Sequence, residues 1–168
     1  MKSPVAILTA PAFLMASLAP APAALVPPSA IGLCSAAESQ VFSCSTGSQI
    51  VSVCAGAGGV QYRAGRLGAL ALASPARSAG LSYANTAYSG GGESQVRFAS
   101  GSYAYIVWSG AYRTGFQTTN DPEFLSGVIV TKGGKPFAAH KCIAPRDAVL
   151  DLALAETMLP KGSFVDHD

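Results

Sequence analysis

Four cysteines, Cys34, Cys44, Cys54 and Cys142, limit what this chain can fold into more than any other feature. In an oxidising compartment an even number of cysteines pairs into disulfides, and each bridge fixes two segments side by side. The first three are spaced evenly, ten residues apart. Zinc ligands cluster more tightly, typically about two to four residues apart, so a metal site is not implied. Four cysteines allow three connectivities.

Oxidation requires export, and the amino terminus has the form of an export signal. Lys2 supplies a positive charge, and Val5 to Ala19 is apolar apart from Thr9, Pro11 and Ser17. Ala21-Pro22-Ala23 then offers small residues for cleavage, and the apolar run is too short and too broken by proline to span a bilayer. The expected organisation is a signal peptide over 1–23, a Pro/Ala-rich lead-in over 24–33, and one disulfide-stabilised β domain over 34–168. Leu33, just before Cys34, is not the small residue that lipid modification of a cysteine calls for. The exported chain is thus expected in the periplasm or outside the cell, with no transmembrane segment.

Of the 168 residues, 49% are hydrophobic and 12% charged, and 18 are glycine and 11 proline. Such a chain has apolar surface enough for a core, and its many turn residues favour short strands. Val41, Val51, Val53 and their neighbours alternate within Gln40–Cys44 and Gln49–Cys54, around the turn Ser45-Thr46-Gly47-Ser48. In that hairpin Cys44 faces a residue near Ile50 rather than Cys54. The register therefore favours Cys44–Cys142 and, by remainder, Cys34–Cys54.

Further strands are expected at Val60–Arg63, Ala69–Ala73, Leu81–Ala84, Gln95–Ala99, Tyr103–Trp108, Gly127–Lys132 and Pro136–Lys141. Ala55–Gly59 has the composition of a glycine linker, and Ser89-Gly90-Gly91-Gly92 that of a mobile tip. Gly133-Gly134 suits a two-residue turn with positive φ at both centres. One helix is expected from Pro145, with Asp147 near its positive end and Pro160 stopping it. The fold class is all-β: a small antiparallel barrel or sandwich of about eight strands with one short C-terminal helix.

Reactive groups are sparse. Loss of Lys2 leaves ten basic residues against nine acidic ones, and no concentrated basic patch of the kind nucleic acid requires. Tyr62, Arg63 and Arg66 form the one basic-aromatic cluster and fit a solvated strand end. His140 fits a solvent-facing strand position, and His167, next to last, a fraying end. Gly80-Leu81-Ser82-Tyr83-Ala84 lacks the second glycine of a nucleophile elbow. Glu93, Asp121 and Glu123 fall in segments read as loops, which keeps a small envelope hydrolase using loop carboxylates as an alternative. A structural envelope protein is another. No cofactor and no metal are expected.

The stretch SGSYAYIVWSG, Ser100 to Gly110, holds the single tryptophan. In a strand Tyr103, Tyr105 and Val107 share one face, and Ala104, Ile106 and Trp108 the other. Packing Ile106 and Trp108 inside would leave the tyrosine hydroxyls near water. Ser100–Tyr103 would then be an exposed tip with tyrosine as a rigid anchor.

Two resemblances bear on function. CSTGSQIVSVCAG followed by VQYRAG resembles exported bacterial proteins of unknown function with the same cysteine frame. FSC, then ASG and YIVWSG, then a hairpin ending in HKC, resembles the bacterial membrane-bound and periplasmic C-type lysozyme inhibitors. That second resemblance implies a small antiparallel β-barrel that inserts a serine- and tyrosine-bearing loop into the cleft of lysozyme. It makes Ser100, Gly101 and Tyr103 loop residues, and Tyr105, Trp108 and Ser109 the strand behind them. The binding residues expected here are Ser100, Gly101, Tyr103 and Tyr105. The function expected is non-enzymatic binding of a protein or cell-envelope ligand, with lysozyme the partner the resemblance implies.

Overall fold

The structure, a computed structural model, describes residues 32–115 and 120–167. The expected leader over 1–23 lies outside those residues, as does the expected lead-in apart from Gly32 and Leu33.

Apolar alternation and glycine turns build two antiparallel meanders. The first comprises β1 (Ser39–Ser45), β2 (Ile50–Gly56), β3 (Gly59–Arg66) and β4 (Ala69–Ala73) in sequence order. The second comprises β5 (Leu81–Tyr88), β6 (Gly91–Ser100), β7 (Tyr103–Tyr112), β8 (Glu123–Lys132) and β9 (Lys135–Lys141). The two sheets stay separate and pack face to face, so the architecture is a sandwich rather than a closed barrel.

Between the sheets lies a single core. Phe42, Val51, Val53, Val60 and Tyr62 come from the first sheet, and Leu81, Val96, Phe98, Val107 and Val128 from the second. The Tyr62 ring stacks on Phe98 at 5.7 Å and lies 5.5 Å from Tyr105. Burial of its hydroxyl pushes the Tyr62 pKa well above the usual range, because the phenolate would lose its hydration.

The disulfides are Cys34–Cys54 and Cys44–Cys142. In the β1–β2 ladder Cys44 stands opposite Val51, so a bridge across that hairpin is impossible and Cys44 reaches the strand end beyond β9. Cys44–Cys142 thereby ties the first sheet to the far end of the second.

Each outer face is strapped by one end of the described chain. On the first sheet Ser52, Cys54 and Arg63 face outward under residues 32–38. The Leu33 N–H donates to Ser52 Oγ at 2.9 Å. Arg63 donates to both carboxylate oxygens of Glu38, at 2.6 and 2.7 Å, and to Leu33 O at 3.0 Å. Arg63 is therefore a clamp and Tyr62 a core residue, not a solvated strand end.

Three other expectations change. Ala55–Gly59 is no linker: Gly56 pairs with Gly59 across a two-residue turn, and β3 begins at once. Glycines 91 and 92 belong to β6, and the turn shrinks to Ser89-Gly90. A Cβ on Gly91 would meet Ala111 O, so this glycine serves close strand approach rather than mobility.

The helix α1 spans Leu152–Met158, starting seven residues after Pro145. Residues 145–147 form a turn instead, with the Asp147 N–H donating to Ala144 O at 3.2 Å, and Ala148 and Leu150 are buried in the core before the helix begins. The Leu150 N–H donates to Ser109 Oγ at 2.9 Å, and the Asp151 N–H to Val41 O at 2.8 Å. Asp151 is the N-cap, accepting from the Leu154 N–H, and Asp147 lies in the turn before it rather than at the helix's positive end. By contrast Gly133 and Gly134 adopt φ of 58° and 77°, the mirror-type turn their sequence demands.

Candidate functional site

Two hairpin tips meet at one end of the second sheet. Ser100 pairs with Tyr103 across the turn Gly101-Ser102, and Gly101 takes φ 59°, where a Cβ would be strained. Lys132 pairs with Lys135 across Gly133-Gly134. Register makes these tips neighbours, because Tyr103 pairs with Lys132 across β7 and β8. The Gly133 N–H donates to Ser102 O at 2.7 Å, fastening one turn to the other.

Around that link the side chains form an aromatic-basic cluster. The Tyr103 ring meets Phe137 edge-on at 5.9 Å. Lys132 Nζ lies 5.2 Å from the Tyr103 centroid and 6.0 Å from that of Phe137. Ser100, Gly101 and Ser102 are exposed, Tyr103 is half-buried, and Phe137 is 63% exposed. The expected residues Ser100, Gly101 and Tyr103 thus come together at an accessible, hydrogen-bonded tip.

Tyr105 does not join them. Its ring turns into the space between the sheets, 6.0 Å from Phe98. The face carrying Ala104, Ile106 and Trp108 is the outer one, reversing the packing expected from composition. Those three are buried all the same, with Ile129 and with Val165 from the C-terminal strap.

That strap corrects two further readings. Glu93 is not in a loop: it stands in β6, 3% exposed. Its carboxylate accepts from Tyr112 Oη at 2.6 Å and Gln95 Nε2 at 2.7 Å, and meets His167 Nε2 at 2.9 Å. His167 does not fray; its ring lies 4.7 Å from that of Trp108. Gln95 also holds Val165 twice, donating to its carbonyl at 2.7 Å and accepting from its N–H at 3.0 Å. With its oxygens taken up by three partners and almost no solvent access, Glu93 is arranged to anchor residues 161–167, not to reach a substrate.

The other carboxylates do not join it in one cluster. Glu123 opens β8 and is exposed, so it too lies in a strand. Asp121 does sit in a loop, exposed, 3.9 Å from Arg146 Nη2. Among the described residues no three His, Cys, Asp or Glu side chains gather as a metal site would require. No helix among them is long and apolar enough to cross a membrane.

No protein family, curated protein or solved structure matches this chain.

Sequence reasoning missed Phe137 and the Glu93 anchor. Phe137 had a legible signal, since it follows Pro136 on a strand flanked by lysines that has no partner beyond it. Glu93 and Gln95 alternate against Val96 and Phe98 and so belong to a strand's polar face, but the preceding glycines masked the strand's start.

Proposed function

We propose that this chain is an exported, non-enzymatic binding domain that acts in the periplasm or outside the cell. It engages a protein or cell-envelope ligand through the Ser100–Tyr103 tip. The observation that carries this reading is the fastening of that tip to the Gly133-Gly134 turn, which sets the Tyr103 and Phe137 rings on a stiff support. Pre-organised aromatics lose little conformational entropy on binding, which is why they dominate recognition surfaces. Two disulfides suit an oxidising compartment, and a leader of the form seen in residues 1–23 accounts for reaching it.

Inhibition of C-type lysozyme is the sharpest version. It draws on the Ser100, Gly101 and Tyr103 resemblance and on the exposure of that tip. Lys132 and Lys135 flank the tip, so a strongly basic partner would meet like charge there, and an acidic or neutral partner surface fits better.

The test is capture from envelope extracts and host secretions, with a parallel lysozyme assay. Ser100→Arg combined with Tyr103→Ala is expected to abolish capture while leaving the melting temperature unchanged. Equal capture by the double variant rules the surface out. Capture without lysozyme inhibition removes the inhibitor version alone.

A further inference from the structure

On the outer face of the second sheet the geometry points to a second site, a groove that takes a small amphiphile with an apolar body and one carboxylate head. The groove encloses about 360 Å³ and runs along β9, with the His167 strap as one wall. That size is at the small end of ligand pockets, which span roughly 300–1,000 Å³.

Strand register orders its floor. Trp108, Gly127 and Lys141 stand in one row across β7, β8 and β9. The next row toward the β8–β9 turn is Ile106, Ile129 and Ala139, and the one after it Ala104, Thr131 and Pro136. Successive rows on one face lie about 7 Å apart, so the three rows span about 14 Å. Gly127 lets the first row pack closely: a Cβ there would meet His140 O at 2.5 Å and Trp108 Nε1 at 3.2 Å. The indole N–H therefore lies over the Gly127 backbone, with Lys141 next in the same row.

Polar and apolar features separate along this line. At the Gly127 end stand the Trp108 indole N–H, which no described residue accepts, and Lys141, which has no ion-pair partner among the described residues. Away from it the lining is Ile129, Ala139 and Pro136. None of the lining residues carries a carboxylate. Glu93, behind His167, is already held by Tyr112, Gln95 and His167 itself. A carboxylate at this polar end accepts from the indole N–H and faces Lys141, and an aliphatic chain lies along the apolar rows. A sugar suits the groove poorly, because those rows offer its hydroxyls few partners.

Trp108 is the chain's single tryptophan, so its fluorescence reports on this groove and on the strap that walls it. The experiment titrates the exported chain with octanoate, octanol and octylamine, following Trp108 emission and, independently, heat by calorimetry. Octanoate is expected to bind saturably and about tenfold more tightly than either neutral or cationic analogue, the difference a charge-assisted contact makes. Lys141→Glu should weaken octanoate about tenfold and favour octylamine, and Ala139→Phe should fill the groove and remove binding with the melting temperature kept. Octanol or octylamine binding as tightly as octanoate would mean a merely greasy surface and overturns the assignment. So does octanoate affinity indifferent to Lys141→Glu, or no saturable signal in either measurement.

Discussion

The Glu38–Arg63 clamp makes stability depend on acid in a defined window. Arg63 grips both oxygens of Glu38, and the Ser35 N–H adds a third bond at 2.8 Å. The guanidinium hydrogen bonds hold the Glu38 pKa down, from an ordinary 4.5 to about 2, against a smaller opposing effect of burial. A carboxyl depressed on folding stabilises the folded state fully above its unfolded pKa, and that contribution fades as pH falls toward the folded value. The window therefore runs from just above pH 4.5 down to about 2. Fully protected from solvent, such a shift would correspond to about 3.4 kcal/mol. The two side chains are 15% and 16% exposed, so solvent screens the pair in part, and about 2 kcal/mol is the working figure. Urea denaturation of the disulfide-intact domain at half-unit steps from pH 6 to pH 2 measures it, against Glu38→Gln. Wild type should lead the variant by about 2 kcal/mol at pH 6, with the gap closing by pH 2. Parallel stability curves across that interval would refute the clamp.

Two further outcomes follow from the fold. Replacing Cys44 and Cys142 by serine opens a bridge with sequence separation 98, which on the chain-entropy model costs about 4.7 kcal/mol. The same change at Cys34 and Cys54, separation 20, costs about 3.3 kcal/mol; denaturant midpoints of the two double variants should rank in that order. Glu93→Leu leaves the hydroxyl of Tyr112 and the His167 ring without their shared acceptor and should cost about 2–3 kcal/mol by denaturation. It should also make residues 161–167 susceptible to carboxypeptidase and red-shift Trp108 emission; a strap that stays protected would contradict the anchoring role of Glu93.

Local signals carried much of the architecture. The turns at Ser45–Ser48, Gly101-Ser102 and Gly133-Gly134 are dictated by residues that reverse the chain at little steric cost, and the flanking alternation sets strand pairing. The sulfur pairing was partly within reach, because a hairpin register excludes Cys44 from Cys54 and leaves two of the three connectivities. Likewise Ser100, Gly101 and Tyr103 could be placed at a tip from the turn between two strands. The two disulfides are compatible with an oxidising compartment.

Which side of a strand faces inward was another matter. On β7 both sets of side chains are apolar, Tyr105 with Val107 and Ile106 with Trp108, so period-two alternation separates two faces without ranking them. The ranking came from distant partners: Tyr62 and Phe98 drew Tyr105 between the sheets, and Val165 and His167 covered Trp108 on the outside. Glu93 and His167 lie 74 residues apart and meet only because the C-terminal strap crosses β6. Sequence alone settled most of the strands and the turns at Ser45–Ser48, Gly101-Ser102 and Gly133-Gly134, and it narrowed the sulfur pairing, because these depend on neighbours along the chain or on register. Tertiary packing decided which faces are buried and which polar groups converge, because those outcomes depend on what covers each face.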